Sequence, residues 1–278
     1  IINLTIFQMK KNLFLFIALA LTAISCSKDD NDKNDKNHSD LPKTIQRTDL
    51  KAPVENKTST FIYDGNKIVS ITHKFSRSEF TYEGNHITKK VDYTVNGDQY
   101  TKYAETLYSY VNGKLETVSY SINSNPTSDY KYVYTYNNDG TIKKQGYSIN
   151  RTTGAETKAA SSDLLTFVNG NLTKSVNVNG NIGSTKNYYY DLKNNPFKNI
   201  LGFTLLLDQG RIDSVGQDIY SSVNNIEKYT ESIVVTGNLT PVSKIYETKF
   251  EYNSNGFPTQ KTTYNEDGTV KEIFDYTY

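Results

Sequence analysis

Tryptophan is absent from this 278-residue chain; cysteine and methionine occur once each, and proline six times. Histidine occurs three times, at His38, His73 and His86. A single cysteine, Cys26, excludes any disulfide within the chain, even in an oxidising compartment. His73 and His86 fall in neighbouring predicted hairpins, yet a metal centre wants a third ligand and an oriented outer layer of partners. The sequence therefore assigns no metal site and no cofactor. Without indole rings the chain lacks the strongest surface for stacking sugars. The charges nearly cancel, 31 basic against 30 acidic residues for a net +1, with no basic cluster in the body. That gives no electrostatic footprint for nucleic acid. No G-x-S-x-G elbow, phosphate loop or H-E-x-x-H pair occurs, so no catalytic residue is assigned. Apolar residues make up roughly a third of the chain on the usual count, against about 45–50% for a globular norm.

What the chain has in quantity is tyrosine, 23 residues, and phenylalanine, 12 residues. They fall in a repeated unit: two aromatics two places apart, a turn ending in Asn-Gly or Asp-Gly, then an aliphatic residue. Tyr134-Thr135-Tyr136-Asn137-Asn138-Asp139-Gly140 with Ile142 is the fullest copy. Others centre on Gly65 with Ile68, Gly84 with Ile87, Gly113 with Leu115, Gly170 with Leu172 and Gly256 with Phe257. Tyr264 to Gly268, with Val270, is a shortened copy. Spacing of two puts both aromatics on one face of an extended strand. Asn-Gly and Asp-Gly are the strongest signals for a two-residue type I′ hairpin. Each unit thus reads as strand, tight turn, strand, and such self-similarity dictates architecture. Regular aromatic alternation and near-zero net charge argue against disorder, which favours high charge and few aromatics.

Residues 1–8 precede the only methionine, Met9, and read as upstream of the mature protein. From Met9 to Ser25 the chain runs Lys10-Lys11, an apolar stretch from Leu13 to Ile24, then a small residue, which is the pattern of a secretory signal. The apolar run of about 12 is too short for a transmembrane helix, which needs about 20. No apolar residue occurs from Ser27 until Leu41, and 26–56 reads as a solvated polar tether. Asp30, Asp32 and Asn34 mimic the start of a calcium loop, but Asp35 and Leu41 occupy its obligatory Gly and Glu positions. From 57 to 278 the pattern gives one all-β domain: an antiparallel meander of about 14 strands, either a strongly curved open sheet or a closed barrel. Pro126, Pro196 and Pro241 fall in predicted loops, and Pro258 opens a strand. One segment breaks the rhythm. Within 198–226, Ile200, Leu201, Phe203, Leu205, Leu206 and Leu207 are too apolar for a surface loop and lack strict alternation, so a short helical or plug-like insertion is expected.

Ala23-Ile24-Ser25-Cys26 resembles the processing site of bacterial lipoproteins, in which the cysteine becomes the lipidated first residue. That resemblance implies attachment to a membrane through an N-terminal lipid on Cys26. Lys28, Asp29 and Asp30 are similar to the short acidic signals that send some lipoproteins to the outer cell surface. The location implied is the outer membrane facing the exterior, with its periplasmic face as the alternative. The aromatic units, together with Tyr190-Asp191 and Asn194-Asn195-Pro196-Phe197-Lys198-Asn199-Ile200, resemble a family of bacterial lipoproteins of unknown function with a porin-like fold. Tyr63-Asp64-Gly65 has a weaker similarity to tyrosine-aspartate (Rhs-type) repeats. The resemblance implies fold and location alone; the tyrosine-rich faces suit a non-enzymatic, lipid-anchored envelope protein that binds a glycan or protein ligand. An integral outer-membrane barrel and a glycan-acting hydrolase are the competing readings. Against the membrane barrel, Lys89 is placed by alternation on one face with Ile87, Val91 and Tyr93, and Glu272 interrupts the C-terminal apolar stripe.

Overall fold

A computed structural model describes residues 40–51, 57–125, 127–209, 221–235 and 242–278. The chain divides into two units, 1–35 and 36–278, and every described residue belongs to the second. Its strands are β1 (Thr44–Asp49), β2 (Lys57–Asp64), β3 (Lys67–Thr72), β4 (Ser76–Glu83), β5 (His86–Asn96), β6 (Gln99–Val111), β7 (Lys114–Ile122) and β8 (Ser128–Tyr136). They continue as β9 (Thr141–Asn150), β10 (Glu156–Val168), β11 (Asn171–Asn179), β12 (Ile182–Tyr190), β13 (Ile226–Val235), β14 (Val242–Tyr252), β15 (Pro258–Tyr264) and β16 (Val270–Thr277). Each pairs antiparallel with its neighbours in sequence, and β1 pairs with β16, so the sheet closes into a barrel. Closure leaves no row of unpaired backbone groups at an edge.

The all-β meander is as the sequence predicts, with 16 strands rather than about 14, and of the two forms expected, open sheet or closed barrel, it takes the barrel. One extra strand is β1, inside the stretch read as tether. Its inward positions are Ile45, Arg47 and Asp49, paired with Tyr276, Phe274 and Glu272 of β16. Two inward charges out of three hide a strand from any reading based on apolar alternation. Pro196 lies in a loop and Pro258 opens β15, as expected; Pro126 and Pro241 lie outside the described residues.

The hairpin turns use more than two geometries; at Gly140, Gly256 and Gly268 the loop is longer, and the glycine N–H donates to the carbonyl of the Asn three places before it at 3.0–3.1 Å. Asn112-Gly113 has positive φ at both residues, 52° and 74°, as type I′ requires. In the two-residue connection Gly65-Asn66 only the glycine is left-handed, at 60°, which fits the mirror-related type II′. The turns at Gly65, Gly84, Gly113, Gly140, Gly170 and Gly256 all join an even-numbered strand to the next odd one, so they share one rim. Gly268 joins β15 to β16 at the opposite rim. Its unit is a reversed copy: Tyr264 pairs with Val270, and the neighbouring pair Thr263 and Glu272 faces inward.

A bulge follows the aliphatic residue in most units. Tyr82 pairs with Ile87, but Thr81 pairs with Lys89, leaving Thr88 extra, its hydroxyl donated to the Thr81 carbonyl. Strict alternation therefore fails there: Ile87 faces inward, and Lys89 and Val91 face outward. The same slip at Tyr110/Leu115, Phe167/Leu172 and Tyr264/Val270 re-aims each following strand. Because the C-terminal stripe lines the interior, Glu272 carries no argument about lipid contact.

The interior holds the core. Inward Ile68, Ile87, Leu115, Leu165 and Leu172 are all but fully buried around the rim that carries the repeated turns. Sixteen strands enclose more space than their side chains fill. That space is filled at this rim by the segment between β12 and β13, described over 191–209 and 221–225, which contains a 3₁₀ helix at Phe203–Gln209. Its Phe197, Ile200, Phe203 and Leu206 join one cluster with side chains from β2 to β11, which a short segment reaches only from inside. The insertion expected within 198–226 is thus a plug.

Candidate functional site

The second aromatic of most repeats is a clasp. Tyr63, on β2, donates its hydroxyl to the Pro42 carbonyl at 2.9 Å, and Tyr110, on β6, to Ile87 at 2.9 Å. Tyr136, on β8, reaches Leu115 at 3.0 Å; Tyr190, on β12, reaches Leu172 at 2.8 Å; Tyr278, just past β16, reaches Pro258 at 3.0 Å. Each of these hydroxyls ties the end of an even strand to the start of the odd strand before it. Tyr82, on β4, does so in reverse, accepting from Ile68 N at 3.1 Å and donating to Leu201 of the plug at 3.1 Å. Phe167 holds the equivalent place on β10 and has no hydroxyl to give. Burial favours the neutral phenol: Tyr82 is pushed up to about 12, and Tyr63, Tyr110 and Tyr278 higher still, chiefly by loss of water.

The plug is fastened at both ends. Asp191 accepts from the backbone of Lys193 and Asn225 at 3.0 Å each, from the Asn225 side chain at 3.0 Å, and from the Tyr252 hydroxyl. Asn194 donates its backbone N–H to Gly256 at 2.9 Å, and Asn195 caps Phe197 N at 2.9 Å. The Asn-Asn-Pro-Phe stretch singled out in the sequence is therefore the base of the plug. At its far end Asp208 accepts from the Tyr134 hydroxyl at 2.7 Å and from Lys144 Nζ at 2.5 Å. Burial alone would lower the Lys144 ammonium, but Asp208, with Asp163 at 3.8 Å, holds it above its ordinary value. Leu207, just before this latch, has a left-handed φ of 53°.

Beyond the plug, the inward positions carry self-neutralised charge. Arg47 pairs with Glu272 at 2.7 Å and Asp49 at 3.1 Å, Lys90 with Asp92 at 3.1 Å, and Lys186 with Glu231 at 3.5 Å. The positions between them are small or hydroxylated. Register places Ser148, Ser161, Ser175, Ser184 and Thr248 inward, and all five are partly open to water. Tyr130 and Tyr132, also inward, stand opposite Ser148 and Gly146. Tyr246 stacks on Tyr229 at 4.3 Å and 14°. The signal for this lining was present as parity along each strand, but the bulges obscured it.

The outer wall is polar. Arg77, Glu79, Lys89, Glu105, Lys131, Lys174, Glu247 and Lys249 occupy outward positions, interspersed with threonine and serine. Exposed apolar residues such as Ile62, Leu107, Val178 and Ile245 are scattered among them.

The remaining sequence candidates separate. Cys26, Lys28, Asp29, Asp30 and His38 lie outside the described residues. His73 follows β3 at one rim, whereas His86 opens β5 at the other, with the length of β4 between them, roughly 25 Å. The two histidines in neighbouring hairpins therefore do not approach each other. His73 shares a hydrogen bond with the Ser59 hydroxyl at 2.9 Å, and burial, then Lys57, lowers its pKa. Among the described residues no group of three or more His, Cys, Asp or Glu could hold a metal, and no helix is long and apolar enough to cross a membrane.

No family model and no curated protein matches the chain. Among solved structures it is similar to a porin-like protein from Bacteroides uniformis ATCC 8492, at 11% identity and a TM-score of 0.45, over 85% of this chain and 97% of that one.

Proposed function

We propose that this barrel is a non-enzymatic binding protein of the bacterial cell envelope, held to the outer membrane by lipid on Cys26 rather than by its strands. The sidedness of the wall carries this reading. A barrel that spans a bilayer needs an outward apolar band about 25 Å tall, with polar residues inside. Here the interior holds Ile68, Ile87, Leu115, Leu165 and Leu172, while Lys89, Glu105, Lys131 and Lys174 face out. Placing such outward lysines at a bilayer midplane costs about 2–4 kcal/mol each. The strands suit water, so an anchor must come from elsewhere, and the Ser25-Cys26 site with the polar stretch behind it supplies one. Lys28, Asp29 and Asp30 favour display on the outer face.

The test is fractionation in a Gram-negative host fed an alkyne-tagged fatty acid. The native chain is expected to take up label and to sediment with membranes. The Cys26→Ser variant is expected to lose the label and to stay in solution without detergent. If the variant remained in the pellet after alkaline carbonate and showed heat-modifiable migration in detergent gels, the integral-barrel reading would replace this one.

A further inference from the structure

Resting on that reading of a binding protein, we propose that the interior beyond the plug, along β8 to β15, binds a neutral, polyhydroxylated ligand, a saccharide in class. Sixteen strands enclose more than their own side chains fill, and the plug takes up the space at one rim. Past it five inward positions carry short hydroxylated side chains that are partly open to water: Ser148, Ser161, Ser175, Ser184 and Thr248. Each offers a hydroxyl that both donates and accepts, the pairing that sugar hydroxyls need.

Charge points the same way. Four inward lysines, Lys144, Lys186, Lys244 and Lys261, are set against Asp163, Asp208, Glu231 and Glu266, so acid and base balance in number and give no net field to draw in an ion of either sign. Tyr130, which is 41% exposed, and Tyr246 supply flat apolar faces for the C–H side of a sugar ring. A peptide strand is a poorer fit, since extended peptides dock by adding to an open sheet edge and the closed wall has none. An acyl chain is a poorer fit because the apolar end of the interior is occupied by Phe197 and Phe203. Tyrosine in place of tryptophan makes the expected affinity modest, micromolar to millimolar.

Isothermal titration of the Cys26→Ser protein with maltohexaose, xylohexaose and chitohexaose tests this, with trigalacturonic acid as the anionic control. At least one neutral hexasaccharide is expected to bind more tightly than the acid. Ser161→Tyr, which fills the interior, is expected to weaken it at least tenfold, and Tyr246→Ala about threefold to tenfold, the worth of one aromatic stacking partner. Thr262→Tyr, an outward position on β15, is expected to change nothing. The thermal midpoint of each variant shows that it folds, and Tyr246→Ala tests the same space by removing volume. Binding of none of the three saccharides, preference for the acid, or indifference to both interior variants would overturn the proposal. Because anchoring is read by fractionation, a protein that is lipidated yet binds no saccharide sinks the ligand class alone.

Discussion

Replacing Tyr110, Tyr136 and Tyr190 together by phenylalanine removes three hydroxyl groups and leaves the packing of the rings in place. Each hydroxyl donates to one carbonyl, of Ile87, Leu115 and Leu172, at 2.8–3.0 Å. The net worth of such a bond is about 1 kcal/mol, with a range of about 0.5–1.5, and the orphaned carbonyl sits at a partly buried rim where water compensates poorly. The three clasps are at least two strands apart, roughly 10 Å or more, so their effects add, to about 3 kcal/mol. For a domain of this size that lowers the thermal midpoint by about 6–12 °C. Urea unfolding of the Cys26→Ser protein, followed by circular dichroism and tyrosine fluorescence, is expected to show the midpoint fall with an unchanged m-value. Two companions fix the interpretation. Phe167→Tyr places a hydroxyl at the clasp position that lacks one and is expected to stabilise by up to about 1 kcal/mol. Tyr189→Phe, outward and exposed, is expected to change stability by less than about 0.5 kcal/mol. A triple variant as stable as the parent, or a Tyr189→Phe loss as large as a clasp loss, would refute the reasoning.

Asp208→Ala leaves the buried Lys144 ammonium with only the more distant Asp163 and strips the Tyr134 hydroxyl of its acceptor; a loss of about 3 kcal/mol is expected, read by urea unfolding. Lys144→Met added to Asp208→Ala is expected to recover part of that loss, since no buried charge is then stranded. A Cβ at Gly202 would meet the Asn85 carbonyl oxygen at 2.7 Å with φ at +77°, so Gly202→Ala is expected to lower stability by about 2 kcal/mol or more. Gly180→Ala, equally left-handed at +56° but with open space around it, is expected to lose only about 1 kcal/mol, and comparing the two thermal midpoints separates close approach from backbone strain. The neutral phenol of Tyr82 is favoured in the fold, with its pKa pushed up to about 12 against about 10 when unfolded. Its contribution is therefore fully present below pH 10 and falls as pH rises from 10 towards 12, because only the unfolded state ionises there. Phenolate absorbance at 295 nm is expected to rise cooperatively with unfolding above pH 10; independent titration of all tyrosines near 10 would contradict this.

Turn residues and aromatic spacing made most of the wall legible in the sequence, because both act locally: Asn112-Gly113 needs no distant partner to bend, and Tyr134 and Tyr136 share a face by geometry alone. The faces of the returning strands were less legible. A bulge such as that at Thr88 shifts parity by one residue, and nothing in the local pattern of β5 announces it. β1 was missed for a different reason. Its inward Asp49 is answered by Arg47, and Arg47 in turn by Glu272, more than two hundred residues away, so the strand looks solvated until its partner is known. The plug was visible as an apolar stretch without alternation, but Asp208 and Lys144 were not, since a single acid and a single base carry no signal until the fold brings them to 2.5 Å. Closure itself depends on strand number and stagger summed over the whole sheet, a property of no one segment.

The seam between β1 and β16 has a consequence for how the protein is made. The chain emerges, at synthesis and again on export, with β1 ahead of β16, so the earliest strand waits, one side bare, until the last one arrives. Until then the nascent sheet has two open flanks able to recruit a stray strand from another polypeptide. A frameshift or protease cut that deletes Val270–Thr277 would strip β1 and β15 of a neighbour and leave Arg47 without Glu272. Such a product is expected to aggregate rather than persist as a shorter barrel.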